Sequence, residues 1–126
     1  MVKSVVAGSL CAVLGMALAA LAQTQVEMNQ EAKSDYETAD AELNKVYKEL
    51  RANLSEEQKT KLKEVQVTWL KYRDGNAEFA ASLYEGGSIA GMIYAGALTS
   101  VTEARTQELK NMFPEGYPEE QDTKSP

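Results

Sequence analysis

The sequence lacks histidine altogether, and its one cysteine, Cys11, lies within the first 22 residues. Histidine is the commonest general acid or base, and cysteine is an effective nucleophile. Without them, most hydrolytic and redox mechanisms would have to use carboxylates, lysine or serine alone. The Glu-x-x-His motif of ferritin-like metal centres and the glycine-rich phosphate loop are also missing. We therefore predict a protein that is not an enzyme, with no catalytic residues, no metal and no cofactor.

Charge is almost missing from the N-terminal stretch, where Lys3 is followed by an uncharged run that closes on Ala20-Leu21-Ala22. A positive start, an apolar run and a small-x-small end are typical of a secretory signal peptide. We predict a signal peptide over residues 1–22, cleaved after Ala22, and a periplasmic or secreted protein. The alternative is a membrane anchor, since the run approaches the ~20 residues that span a bilayer. Cys11 lies in the middle of the run without a lipobox, so no lipid anchor is expected.

Proline is confined to positions 114, 118 and 126, and residues 114–126 are acidic and show no apolar periodicity. This composition predicts a disordered tail. The helical domain would then span residues 23–113. Removal of residues 1–22 would leave 12 basic and 19 acidic residues, a net charge of −7. That charge disfavours nucleic acid and anionic membranes and favours cationic partners, although solubility explains it equally well.

Three amphipathic helices account for residues 24–112. A capping box starts the first at Thr24, a second capping box starts the next at Ser55, and Ser88 is placed to cap the third, from Ile89 to Met112. The short turn near Leu54 implies antiparallel neighbours. The fold class is therefore all-α: three long antiparallel helices in a small bundle, after an N-terminal signal peptide.

The apolar pattern also predicts which faces are buried. On the second helix, intervals of three and four predict a coiled-coil-like seam of Leu62, Val65, Trp69, Tyr72, Asn76, Phe79 and Leu83. Gly75, next to the seam residue Asn76, suggests a kink or a local loosening of the helix. The first half of the third helix, IAGMIYAGALTS, is rich in small residues and is expected to be its most buried part.

Polar residues at helical spacing form a second pattern, which includes the only tryptophan. Because the first two helices are antiparallel, Asp40 should lie level with Trp69 and Arg73. A carboxylate and a guanidinium at matched heights can form a bidentate pair, and such pairs can set the register between helices. We interpret this set as a structural polar lock, with a ligand site as the alternative: Asp40, Asn44, Tyr47, Gln66, Trp69, Arg73, Thr102 and Arg105.

The loop between the second and third helices is the predicted site of partner binding. It reads Tyr84, Glu85, Gly86, Gly87 and Ser88, which places an aromatic ring and an acid on a protruding turn. Exposed loops carry recognition more often than helix faces do. A plain helix stop remains the alternative interpretation of the two glycines.

In their order and spacing, the segments TQVEMNQ, DYETADAELNKVYKEL, VQVTWLKYRD, EGGS and LTSVTEARTQEL resemble the family named after the lysozyme inhibitor LprI. The resemblance covers residues 24–109. It implies exported helical proteins of bacterial envelopes, with signature positions at Asp40, Leu43, Asn44, Tyr47, Gln66, Trp69, Arg73, Asp74, Thr102, Arg105 and Leu109. Members generally carry cysteines that staple the helices, whereas the positions near Glu31, Ala77 and Ala97 hold none here.

Two functional hypotheses follow. In the first, an exported envelope protein binds and blocks a cationic muramidase, which makes a lysozyme the expected protein partner. In the second, a structural or interaction module docks another envelope protein through the small-residue face of the third helix. That second hypothesis predicts an exposed apolar patch near Ile89–Ala97.

Overall fold

The protein folds into three α-helices. The structure is a computed structural model that describes residues 5–119. The helices are α1 (Val5–Ala52), α2 (Glu56–Ser82) and α3 (Ala90–Asn111), and the described range contains no strand. The expected all-α class and the three-helix architecture are confirmed. Residues 1–4 and 120–126, which belong to the predicted signal peptide and tail, lie outside the described residues. Within the described part, no helix is both long enough and apolar enough to span a membrane.

The start of α1 differs from the predicted one. The helix passes through Thr24 without interruption, and the Thr24 hydroxyl donates to the carbonyl of Ala20, one turn earlier. A threonine inside a helix satisfies its hydroxyl in this way, whereas a cap would accept from a backbone N–H. In the unprocessed chain Thr24 is therefore an interior position. Cleavage after Ala22 remains a prediction.

The turn between α1 and α2 is as short as predicted. Helix α1 ends at Ala52, and Ser55 caps α2 with its hydroxyl accepting from the Gln58 backbone N–H. The Gln58 side chain accepts in return from the Ser55 N–H at 3.0 Å. Both halves of the capping box are present, which satisfies two N–H groups that the first turn would otherwise leave unpaired.

Contacts between side chains show how the three helices are arranged. Helix α3 packs against both α1 and α2. Gln25 reaches the carbonyl of Ser88 at the start of α3, and Lys110 lies 3.8 Å from Glu42 near its end, so α3 runs parallel to α1. The bundle is therefore up, down, up. Helices α1 and α2 approach each other mainly through long side chains.

The apolar core lies at the end of the bundle that carries the α1–α2 turn. Its buried side chains are Leu43, Val46, Leu50, Leu62 and Leu109, with Tyr47, Leu54, Trp69, Phe113 and Tyr117 packed against them. The opposite end, toward the α2–α3 loop, is less buried. On burial alone, the bundle is held most tightly where α1, α2 and the end of α3 converge.

The predicted apolar seam of α2 is confirmed at Leu62 and at Trp69, which packs against the core, but it is wrong at four other positions. The buried positions of α2 are Leu62, Arg73 and Ala77, whereas Val65, Tyr72, Phe79 and Leu83 are exposed. The two sets lie roughly 100° apart around the helix. The inner face of α2 carries the paired Arg73 together with Leu62 and Ala77, so an analysis that counts only apolar residues turns the buried face away from its true direction.

Helix α3 also differs from its prediction. Its buried positions are Leu98, Thr102, Arg105, Thr106 and Leu109, so the second half is the more buried one, because the core lies at that end. The small-residue half is only half-buried. Ile89 is the N-cap of α3 and no side chain caps the helix, so the expected Ser88 cap is wrong. Helix α2 continues through Gly75 without a break.

The expectation of a disordered tail fails for its first residues. Phe113 and Tyr117 form an edge-to-face ring pair, with centroids 5.1 Å apart, against the core. The Tyr117 hydroxyl donates to the Glu49 carboxylate at 2.6 Å, and the Lys110 ammonium lies 4.8 Å from the Tyr117 ring centroid. A prediction from composition alone misses these contacts, because it does not consider where the rings lie relative to the core. Two aromatic rings next to an apolar core are enough to hold a proline-containing segment in place.

We expect Tyr117→Phe to lower the free energy of unfolding by about 1 kcal/mol, since it removes one hydrogen bond to a carboxylate and keeps the ring. The bond to Glu49 raises the pKa of Tyr117 to about 12. A raised folded-state pKa means that this stabilisation is complete below about pH 10, the usual tyrosine value, and is lost as pH rises toward 12. Urea unfolding at pH 7 and at pH 11 measures both effects. An equal loss at the two pH values would contradict the assignment.

A candidate polar tie and an exposed loop

Arg73 is the centre of the polar cluster between α1 and α2. It is buried, its Nη1 lies 3.5 Å from Asp40 Oδ1, and its Nε donates to Asp74 Oδ1 at 2.9 Å. Two carboxylates therefore share the guanidinium, in place of the bidentate Asp40 pair that the pattern predicts. Asp40 also accepts from the amide of Asn44 at 3.3 Å, on the same helix. The contact between Asp40 and Arg73 joins residues 33 positions apart in the chain and sets the level of α1 against α2.

Aromatic rings cover the same guanidinium. Arg73 Cζ lies 5.5 Å from the Tyr36 ring centroid and 5.3 Å from the Trp69 ring, one ring from each helix. Such contacts are favourable when the cation is desolvated. Burial raises the pKa of the Tyr36 hydroxyl, and the positive charge of Arg73 opposes that rise. Tyr36 was absent from the predicted set, although its spacing of four from Asp40 places it one turn away on the same face.

Arg105 forms a second cluster, between α3 and α2. Its Nε donates to Gln66 Oε1 at 3.1 Å and its Nη1 to Glu108 at 2.9 Å. Two buried polar atoms of α3 have no protein partner within residues 5–119, the Nη2 of Arg105 and the hydroxyl of Thr102. Thr102 is fully buried, and its carbonyl accepts from the Thr106 hydroxyl. The predicted lock therefore separates into a first cluster with Asp40, Trp69 and Arg73 and a second cluster with Gln66 and Arg105.

Two members of the predicted set have other roles. Asn44 is exposed and contacts α1 alone, through Asp40, while Tyr47 packs against the apolar core. Within residues 5–119, neither side chain forms a hydrogen bond to another helix. Each of the two arginines, Arg73 and Arg105, connects two helices. The charge of each guanidinium group is balanced by a carboxylate that it contacts.

The loop between α2 and α3 is exposed, as its sequence predicts. All five residues from Tyr84 to Ser88 are exposed. Gly86 has φ of +80°, a conformation that side chains with a Cβ rarely adopt, and the Gly87 N–H donates to the Tyr84 carbonyl at 2.9 Å. The Ser88 carbonyl accepts from Gln25 of α1. The turn therefore presents Tyr84 and Glu85 from a backbone that is anchored at both sides.

Sequence reasoning missed an exposed apolar row on α2. Val65, Tyr72, Phe79 and Leu83 are 53%, 61%, 64% and 68% exposed, and we call them the α2 stripe. A surface groove of about 410 Å³ lies at the Val65 end of the stripe. It is lined by Val65, Tyr72, Trp69 and Arg105 together with Glu64 and Thr68. The seven-residue spacing of the first three was visible in the sequence and was assigned to the core.

The alternative docking surface on α3 has less exposed apolar area. Between Ile89 and Ala97, Ile89 itself is 36% exposed, and Met92, Ile93 and Tyr94 are half-buried. Within the described residues, no group of three carboxylate or thiol side chains could hold a metal ion.

Comparison with known proteins places the chain in a family. The family model described as "Lysozyme inhibitor LprI" matches residues 16–109, which include all of α2 and the parts of α1 and α3 that pack in the core. An uncharacterized protein of Rhizobium meliloti (strain 1021) is 36% identical over 105 residues, covering 73% of this chain and 76% of the relative. No solved structure matches this chain. The chain therefore belongs to the lysozyme inhibitor LprI family.

Proposed function

We propose that this protein is exported to the bacterial envelope, where it binds a cationic muramidase and blocks it without catalysing a reaction. The observation that carries the proposal is the match to a lysozyme inhibitor family along almost the whole bundle. The sequence adds an N-terminal segment with the features of a cleaved signal peptide and an acidic chain after it. An acidic inhibitor and a basic enzyme attract each other at long range, which raises the rate of encounter.

We assign first contact to the loop Tyr84–Ser88. Glu85 is exposed at the tip, and Tyr84 provides an aromatic ring that can enter a cleft. The hydrogen bonds from Gly87 to Tyr84 and from Gln25 to Ser88 restrain the loop, so less conformational entropy is lost on binding. The two arginine clusters are buried or already paired, which makes them part of the scaffold.

The direct test is inhibition of a purified cationic c-type lysozyme by residues 23–126 at low ionic strength. We expect turnover of a peptidoglycan substrate to fall as the protein is titrated, and the effect to weaken with added salt, because exposed charges are screened. Unchanged turnover at a large molar excess would refute the proposal.

Charge reversal at the loop tip tests the electrostatic part separately. We expect Glu85→Lys to slow association several-fold at low salt and to change dissociation less, because a charge at the edge of an interface acts mainly on encounter. Glu115→Lys is the matched control, since Glu115 is also exposed but belongs to the tail segment at the opposite end of the bundle. Surface plasmon resonance gives both rates. Equal effects of the two variants would show that net charge alone matters.

A further inference from the structure

The loop alone is too small to hold a partner. Specific protein–protein interfaces bury about 800 Å² on each side and use roughly 20–30 residues. Five loop residues supply a fraction of that, so a stable complex needs further surface next to the loop.

The α2 stripe is continuous with the loop. Leu83 is the C-cap of α2 and directly precedes Tyr84, and Phe79 lies one turn below it. Tyr72 and Val65 follow at intervals of seven residues, two helical turns apart, so the row continues down the same side of the bundle. All four side chains are more than half exposed. The row ends at the groove beside Trp69, so loop, stripe and groove form one surface.

The composition of this surface fits the interior of a protein interface. Interface centres are enriched in aromatic residues, and the few residues that dominate binding are often aromatic. Two rings of 150–250 Å² each, more than half exposed, add about 200–300 Å² at Tyr72 and Phe79 alone. Contiguous exposed apolar area of this kind marks interaction sites in soluble proteins.

Acidic residues border the stripe and indicate the charge of its partner. Glu64, Glu78 and Glu85 are exposed along the stripe, and none of them has an ion-pair partner in the described part of the chain. Three bases lie near the stripe: Lys71 is beside Tyr72, Lys61 is paired with Glu57 at 3.1 Å, and Arg105 at the groove is paired with Glu108 at 2.9 Å. An apolar centre with a mainly acidic border complements a basic partner. It fits a second copy poorly, because like charges would then face each other.

We propose that the α2 stripe is the main contact surface for the cationic muramidase, with the loop Tyr84–Ser88 adjoining its Leu83 end. This inference rests on the proposed function and extends it from the loop to a defined surface. Tyr72 and Phe79 provide the apolar contacts that hold the complex together, and the acids at the border speed its formation. The stripe is exposed in the free protein because its contacts form on binding.

The test compares Tyr72→Ser and Phe79→Ser with wild-type residues 23–126, using the same c-type lysozyme and calorimetric or resonance measurement of Kd. We expect each variant to weaken binding at least tenfold, mainly through faster dissociation. Val67→Ser is the matched control, because Val67 is an exposed aliphatic residue on another face of α2 and should leave Kd unchanged. Circular dichroism confirms that all three variants remain helical, as expected for substitutions at exposed positions.

The outcomes separate the two proposals. If the wild type binds and neither variant differs from it, the stripe assignment is overturned while the proposed function stands. If the wild type does not bind lysozyme at all, both fall. If light scattering shows a wild-type dimer that Tyr72→Ser dissociates, and lysozyme binding is unchanged, the stripe is a self-association face and the inference is likewise overturned.

Discussion

Arg73→Ala should lower the free energy of unfolding by about 3 kcal/mol, among the largest effects of any single substitution in this bundle. Removing one partner of a buried ion pair typically costs roughly 3–5 kcal/mol, because the remaining charge is left without compensation. Asp40 and Asp74 are partly exposed and can regain water, which places the effect at the lower end. The loss of two cation–π contacts, with Tyr36 and Trp69, adds to it.

Urea unfolding followed by far-ultraviolet circular dichroism measures this effect, with Lys71→Ala as the control. Lys71 lies two residues away on the same helix and is exposed, so its removal should change stability by less than about 0.5 kcal/mol. Asp40→Asn should cost less than Arg73→Ala, since Asp74 still pairs with the guanidinium. A wild-type unfolding midpoint for Arg73→Ala would mean that Arg73 is not a structural tie and would favour a ligand site there.

Leu109→Ala is the second substitution with a large expected effect, a loss of about 2–5 kcal/mol. Leu109 is 0% exposed and lies in the cluster where α3 meets side chains of α1 and α2. Truncation removes buried methyl and methylene groups and leaves a cavity that the surrounding helices fill incompletely. The same unfolding measurement applies.

Leu83→Ala is the matched control, and it tests the corrected orientation of α2. The chemical change is identical, but Leu83 is 68% exposed, so its truncation should cost less than about 0.5 kcal/mol. If the apolar periodicity of α2 described the true core, Leu83 would be a seam residue and its truncation would cost as much as that of a core leucine. A large loss for Leu83→Ala would therefore contradict the structure and restore the predicted seam.

Local signals predicted the cap of α2 but not the other two helix starts, since Thr24 lies inside α1 and Ile89 is the N-cap of α3. Ser55 and Gln58 are three residues apart, and their capping box requires no other helix to form. The α1–α2 turn and the glycine loop are also local. The level of Asp40 against Arg73 could be calculated because a short turn between two antiparallel helices leaves little freedom of register.

The tail and the α2 stripe could not be predicted in the same way. Tyr117 is ordered because Glu49 and Phe113 are near it in space, and Glu49 is 68 positions away in the chain. The periodicity of Val65, Tyr72 and Phe79 shows that they share a face, but gives no direction for that face.

The sequence by itself determined three helices, their main boundaries at residues 52–56 and 82–90, and an acidic chain without the usual catalytic groups. Only the tertiary structure decided which side of α2 faces inward. Burial depends on where α1 and α3 lie. An arginine that contacts carboxylates and aromatic rings can be buried at a lower free-energy cost than an apolar residue that leaves those carboxylates unpaired. Because this side of α2 faces inward, the α2 stripe is exposed to solvent and forms the surface on which we propose that a partner binds.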